Sequence, residues 1–430
     1  MRIMISKALI ILFDLFYLVT VFYAALLLSN NSNSFEVQNF TFVFVIILAL
    51  LYFEKVYNFR YDFWQDTFKV FRALIISFLI ILSLLTLTKT HLEYSRLFIA
   101  LYFILLFVTL PVFKRYAKKM IFLLPFCKQK ILVLGKKSEV KIFKNELQKN
   151  WYLGQVYSEK RYEKVIIISQ GIKEERLHAL IDEYVKITSE IFVVPYLKDI
   201  NFMHSNILEY SNIRRNTIQV QNRLLLKHNI IIKNSVDYIM LCIVLPAFLV
   251  IHIIISLAIK LDDGGSVFFR QKRLGKDNKI FEVYKYRTML LSSEEVLAKY
   301  LKLHPEEIRY FEKYHKYMND PRITRVGRFL RIFSLDELPQ ILNILKGEMS
   351  WIGPRPYMLN EAEKLGNKKE FILRVRPGIT GLWQVSGRNN LSFAQRNELE
   401  VWYIKNWSLW ADFVILIKTV KVVLGKIGAK

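Results

Sequence analysis

Four apolar runs open the chain, over residues 8–28, 42–53, 73–87 and 97–113. A helix needs about 20 apolar residues to cross the hydrocarbon of a bilayer, so the middle two runs suffice only if their aromatic flanks join them. The first run follows Arg2 and Lys7, is long, and has no small-residue cleavage site behind it, which makes it an anchor and not a removed signal. The pattern predicts a four-helix transmembrane region over residues 1–120.

From residue 130 to about 196 the pattern changes. Short β-rich runs ("KILVLG", "KVIIIS", "EIFVVPYL") alternate with polar amphipathic stretches, and strand, helix, strand, helix, strand reads as a small parallel α/β domain, placed at residues 128–225. Gly135 sits where a dinucleotide fingerprint would start, but "GKKSEV" supplies no second or third glycine. The domain is therefore expected to be a degenerate, Rossmann-like one with a structural or regulatory role and no bound nicotinamide cofactor.

A fifth apolar run, over about 238–259, is long enough to span. Lys227 and Lys233 precede it and Lys260, Arg270, Lys272 and Arg273 follow it, so the charge rule asks both of its ends to stay on one side. Pro246 removes a backbone hydrogen bond near the middle, and the expectation is a re-entrant hairpin broken there. A Pro-kinked spanning helix is the alternative. Residues 227–430 then form an α+β domain lying on the membrane. It ends in a helical stretch where Trp402, Tyr403, Trp407 and Trp410 crowd beside lysines, either as an interfacial belt or as core.

Composition sharpens this picture. The 430 residues carry a formal charge of +25 and are 53% hydrophobic, a combination that fits a membrane protein with basic cytoplasmic faces. No zinc spacing, basic-zipper heptad or RNA-binding aromatic signature supports a nucleic-acid partner. The two cysteines, Cys127 and Cys242, lie in or beside apolar runs and offer no disulfide framework. Lys and Arg are missing from "SNNSNSFEVQNF" and abundant in "EKVYNFRYDFWQDTFKVFR" and "KRYAKKMIFLLPFCKQK", which places the N-terminus, the second loop and everything after Lys114 in the cytoplasm. Lys89 and Arg96 blur that bias without reversing it.

The candidate chemistry gathers around "SLDELPQILNILKGEMSWIGPRP". Ser334 and Glu337 have the spacing of a capping box, which would by itself account for the glutamate. Arginines at 322, 325, 328 and 331 precede it, Arg355 follows between two prolines, and Lys285 and Arg287 end a strand-like run upstream. Arginine forks and helix N-termini both suit phosphate. Asp336 and Glu337 amid these cations are either ion-pair partners or a nucleophile-and-metal pair working on a diphosphate. In the second reading one carboxylate holds Mg²⁺ and the other attacks phosphorus, its pKa lowered by the surrounding cations.

"FFRQKRLGKDNKIFEVYKYRTM", "DPRITRVGRFLRIFSLDELPQILNILKGEMSWIGPRP" and "RVRPGITGLWQVSGRN" resemble the motifs of the bacterial sugar transferases, the monotopic polyprenyl-phosphate phosphoglycosyltransferases. The resemblance covers residues 227 to the C-terminus closely, and the membrane bundle with its degenerate α/β domain resembles the large members of the family. It implies an enzyme of the bacterial inner membrane that moves a sugar 1-phosphate from a UDP-sugar to undecaprenyl phosphate, releases UMP, and starts O-antigen, capsule or exopolysaccharide synthesis. It implies Asp336 as nucleophile, Glu337 as Mg²⁺ ligand, Arg331 and Lys285 as phosphate contacts and Arg355 as a further one, with Pro246 breaking the re-entrant helix. The Ser-Pro pair usual at that break is Leu245-Pro246 here. The tail is more similar to galactose phosphotransferases than to the glucose branch, and a homodimer is the expectation from the large members. Two other readings stay open at this point. A membrane-bound nucleotide-sugar dehydratase would need an intact glycine fingerprint, and a non-catalytic assembly or regulatory protein would use Asp336 and Glu337 only as a cap.

Overall fold

Apolar side chains in runs longer than a soluble core requires build the start of the chain. In the computed structural model, residues 2–29, 40–87, 95–188, 190–195, 207–210, 215–218, 222–308, 317, 320–387 and 391–425 are described. They fall into two units, Met1–Lys198 and Asp199–Lys430. The segment 30–39 and Lys89, used above for sidedness, lie outside the described residues.

The first unit begins with helices α1 (Arg2–Leu28), α2 (Thr41–Phe53), α3 (Phe63–Leu87) and α4 (Arg96–Ile121). They form a bundle in which α1 packs on α4, α2 on α3, and α3 on α4. Phe22, Phe40, Phe98 and Tyr102 fill its centre with mostly edge-on ring contacts. The outward side chains are apolar too, among them Phe16, Leu27, Leu79 and Val108, and a helix apolar all round belongs in a membrane or a large core. The aromatic flank does join α3, which starts at Phe63 and reaches 25 residues. It does not lengthen α2, whose 13 residues make about 20 Å, short of the hydrocarbon thickness. Among the described residues, α1, α3, α4 and a helix of the second unit are long and apolar enough to cross, which marks the chain as a membrane protein.

Charges inside the bundle are paired. Lys114 and the Tyr57 hydroxyl both donate to Asp14, and Lys118 (2.8 Å) and the Tyr152 hydroxyl (2.6 Å) donate to Asp66. Both carboxylates are 1% exposed, and pairing of this kind is what burial of a charge demands. Tyr152 belongs to the α/β part, so its bond to α3 fastens that part to the bundle.

The α/β part holds β1 (Gln129–Leu134), α5 (Lys137–Lys149), β2 (Gln155–Tyr157), β3 (Lys164–Ile168), α6 (Glu174–Val185) and β4 (Ile191–Val194). All strand pairs are parallel, in the order β2-β1-β3-β4. Ile131, Val133, Val165 and Ile167 are buried between the layers, which is why β1 and β3 read as continuous apolar runs. Gly135 has φ +149°, and a Cβ there would lie 3.0 Å from the Ile168 carbonyl oxygen. This glycine serves a close approach to β3.

The second unit contains an antiparallel pair, β5 (Ile207–Tyr210) and β6 (Arg215–Ile218), then α7 (Lys227–Asp263), the hairpin β7 (Phe268–Leu274) and β8 (Ile280–Tyr286), α8 (Ser293–Leu303), α9 (Arg325–Ile332) and α10 (Ile341–Leu345). A parallel pair, β9 (Ser350–Ile352) and β10 (Gly378–Thr380), and helices α11 (Phe393–Lys405) and α12 (Leu409–Leu424) complete an α+β domain.

The expected break in α7 is absent: its 37 residues are helical without interruption through Pro246. Proline forfeits one intrahelical bond and crowds one carbonyl, and here the ring points outward, exposed, where the strain is not fixed by packing. The buried positions Asn229, Lys233, Asp237, Leu241, Phe248, Ile255 and Ile259 form one stripe. Lys233 near one end bonds Asp412 at 2.8 Å and Asp263 at the other end pairs with Arg287, so the domain lies along the full length of the helix. Ile239, Ile243, Val250, Ile254 and Leu257 face away and are at least 59% exposed.

The closing aromatic stretch divides between the two expectations. Tyr403 (1% exposed) and Trp407 (2%) are core, both donating to Asp412 together with Lys233, whereas Trp402 is exposed.

Candidate functional site

Strand β8 carries the site. Its outer edge would be bare but for Asn343 of α10, which accepts from the Tyr284 N–H (3.1 Å) and donates to the Glu282 carbonyl (2.7 Å), doing the work of a neighbouring strand. This ties α10, and with it the 3₁₀ segment Leu335–Gln340, against the strand that presents Lys285.

The capping box does not form. Ser334 is left-handed (φ +55°), and its hydroxyl accepts nothing from the following turn. Glu337 turns instead to Lys285, whose Nζ lies 2.6 Å from Oε1. A partner 52 residues away in sequence thus replaces the local one, and the purely structural account of Glu337 as a cap is removed.

Asp336 is half-buried beside this pair. Burial raises its pKa, the neighbouring Glu337 raises it further, and Lys285 and Arg331 pull it down, leaving it above the ordinary value. The expected lowering by cations is therefore reversed, because desolvation and a like charge next door outweigh two partly solvated cations. Burial likewise depresses the pKa of Arg331, which Asp336 and Asp320 partly restore.

Arg331 donates through Nε to the Thr288 hydroxyl (2.9 Å) just past β8. Helix α9 is held there by Thr324, which caps it by accepting from the Gly327 N–H, and by Gly327 itself. A Cβ on Gly327 would come within 2.2 Å of the Thr288 carbonyl oxygen. Gly327→Ala is expected to cost about 1–3 kcal/mol and to reduce activity further than stability, because the push moves Arg331 off the site. Thermal unfolding and turnover of the same preparation check this.

The other predicted cations separate. Arg322 is forked onto Asp320, and Arg325 and Arg328 are exposed, so of the four spaced arginines only Arg331 turns inward to Asp336. Arg287 leaves the phosphate-binding set: it is 8% exposed, both its terminal nitrogens bond the Asp263 carboxylate, and Nε donates to the Ser266 carbonyl at 2.7 Å. It lies two residues past Lys285 and just beyond Tyr286, the last residue of β8, so strand alternation no longer sets its direction, and its backbone N–H donates to the Val267 carbonyl at 2.9 Å. Arg355 keeps its guanidinium over Trp383 (5.7 Å), while its backbone N–H donates to Glu400 at 2.8 Å.

Two residues escaped the sequence reading. Arg273 on β7 is 8% exposed, donates to the Pro356 carbonyl and Gln271, and feels both Arg355 and Glu337, with burial and Arg355 depressing its pKa. It links the carboxylate pair to the "GPRP" turn, and no alternation along β7 marked it, since Arg273 and Leu274 are both buried. Glu400 is wholly buried, and burial pushes its carboxyl up to about 8.

Two adjacent carboxylates, one half-buried and raised by the other, fit a hard divalent cation that also takes substrate phosphate oxygens. No group of three or more metal-binding side chains occurs among the described residues, so the remaining ligands at this pair would come from phosphate and water.

The chain matches the bacterial sugar transferase family over residues 228–426. It is 31% identical over 403 residues to the undecaprenyl-phosphate galactose phosphotransferase of Salmonella typhimurium, an alignment covering 87% of this chain and 84% of the relative. It is 32% identical over 265 residues to the UDP-glucose:undecaprenyl-phosphate glucose-1-phosphate transferase of Escherichia coli, covering 60% and 53%. The exopolysaccharide production protein ExoY of Rhizobium meliloti is 44% identical over 191 residues, 44% of this chain and 84% of the relative. With the matched segment holding the carboxylate pair, its cations and the helix beside them, the chain belongs to the bacterial sugar transferase family.

Proposed function

We propose that this enzyme transfers a sugar 1-phosphate, in the first instance galactose 1-phosphate, from a UDP-sugar to undecaprenyl phosphate. The observation that carries the reading is the release of Glu337 from any capping role and its pairing with Lys285 beside Asp336. Similarity to the Salmonella galactose phosphotransferase over most of both chains supports the substrate class.

Asp336 Oδ forms a bond to the β-phosphorus of the UDP-sugar as the bond from that phosphorus to the bridging oxygen breaks, and UMP leaves with the electron pair. An oxygen of undecaprenyl phosphate then attacks the same phosphorus, giving the lipid diphosphate sugar and returning the Asp336 carboxylate. Lys285 and Arg331 hold the phosphoryl oxygens, Arg355 and Arg273 supply positive charge behind them, and Glu337 holds Mg²⁺ with Asp336 beside it. Bound Mg²⁺ supplies neutralisation of the diphosphate charge. Helix α7, gripped at both ends by one domain, lies in the cytoplasmic leaflet with its apolar face in lipid and does not cross, which keeps the site at the cytoplasmic surface where both substrates meet. The product starts a surface or secreted polysaccharide.

Intact-protein mass after mixing the detergent-purified chain with UDP-galactose and Mg²⁺, without lipid acceptor, tests this. A hexose-phosphate adduct that maps to the peptide containing Asp336 is the expected result. UMP release that requires undecaprenyl phosphate, with no adduct, overturns the two-step chemistry. An adduct with UDP-glucose and none with UDP-galactose overturns the sugar assignment.

A further inference from the structure

The α/β part of the first unit has no task in the reaction above, yet with the end of α4 it encloses a cavity of about 480 Å³. Small-molecule pockets run from about 300 to 1,000 Å³. Its walls are apolar and aromatic, with Phe122 just past α4, Leu147 of α5 and Trp151 before β2. Gly154, at φ +58°, turns the chain against the Phe122 ring so closely that a Cβ would stand 2.7 Å from it.

Lys119, Lys128 and Lys144 are the charged residues in the lining, and no carboxylate is among the lining residues. Neither Lys119 nor Lys128 is in an ion pair among the described residues, while Lys144 has Nζ 3.4 Å from the centre of the Tyr157 ring. Glu159, 3.9 Å from Lys144, lies outside the lining. One side of the cavity continues along α4: Leu123 (72% exposed) lines it, and Met120, Tyr116 and Val112 carry the exposed face back into a helix long enough to cross the membrane.

An apolar chamber ringed by three cations, opening where a spanning helix leaves the hydrocarbon, suits a molecule that is greasy at one end and anionic at the other. Basic pockets at this depth take anionic lipid headgroups. The geometry points to a binding site for an anionic phospholipid, its phosphate held by Lys119, Lys128 and Lys144 and one acyl chain running past Leu123 along α4. The degenerate α/β domain then has a role of its own, clamping a lipid at the foot of the bundle. A soluble nucleotide competes for the same lysines but makes no use of the exposed path along α4.

Native mass spectrometry of the full chain in detergent, titrated with phosphatidylglycerol or phosphatidylcholine, tests the site. Wild type is expected to retain one phosphatidylglycerol with a preference of at least about tenfold, and the Lys119→Gln/Lys128→Gln/Lys144→Gln variant to lose that preference with its melting temperature kept. Val156→Trp, which fills the chamber and leaves the lysines in place, should release the lipid as well. Equal retention of the two lipids by wild type, or an undiminished preference in the triple variant, overturns the proposal. Displacement of phosphatidylglycerol by millimolar UMP or inorganic phosphate assigns the lysines to a free anion and overturns it too.

Discussion

Asp336→Asn is expected to abolish transfer, by a factor on the order of a thousand or more, while leaving the protein as stable as wild type or more so at neutral pH. The two halves of this result come from one observation. Burial and Glu337 hold the Asp336 carboxyl above its ordinary value, so the folded chain keeps that proton to higher pH than the unfolded chain does. Wild type therefore loses stability as pH rises from the ordinary carboxylate range through the raised folded value, and above it carries a constant penalty. Asparagine has no proton to lose and escapes the penalty. A helix cap behaves in the opposite sense, since its removal costs about 1 kcal/mol. Activity against pH gives a second check. The acid limb should lie above the usual carboxylate range, move down in Glu337→Gln, which removes the repelling charge, and move up in Lys285→Ala, which removes an attracting one. An unchanged limb in both variants would mean that some other group governs it.

The elements that read clearly from sequence are those whose signal is local. The β-branched runs of β1 and β3 are buried on parallel strands, that of β4 pairs beside β3 with its side chains largely exposed, and the apolar runs of α1 and α4 are membrane-length helices. Strand β2 was not legible because three residues, "QVY", carry no periodicity. The site was half legible for a related reason. Residue types and order singled out Asp336, Glu337, Lys285 and Arg331, but which cation meets which carboxylate depends on contacts between residues far apart in the chain. Ser334 and Glu337 satisfy the local capping pattern, and a lysine on β8 overrides it. In α7 the proline signal is also local, whereas the helix runs unbroken along the domain and is held by contacts near both ends.

Arg287 supplies the second large effect, and it falls on stability. Its guanidinium is clamped by Asp263 at the end of α7 and by the Ser266 carbonyl, and a Cβ on Gly265 would lie within 2.4 Å of Nη1. Removing one partner of a buried pair leaves the other charge uncompensated, which costs about 3–5 kcal/mol. Arg287→Ala should therefore lower the melting temperature by roughly 10 °C, the scale of about 2–4 °C per kcal/mol for a domain of this size. The KM for the UDP-sugar, measured on the folded fraction, should stay within about twofold of wild type. Lys285→Ala should do the reverse, losing turnover with little change in melting. Asp263→Asn combined with Arg287→Ala should cost less than the sum of the two single changes, because each removes the same contact. Lys285 and Arg287 stand two residues apart on one strand end, so a swap of these outcomes would place Arg287 on the substrate phosphates and leave the end of α7 to be held by something other than Asp263.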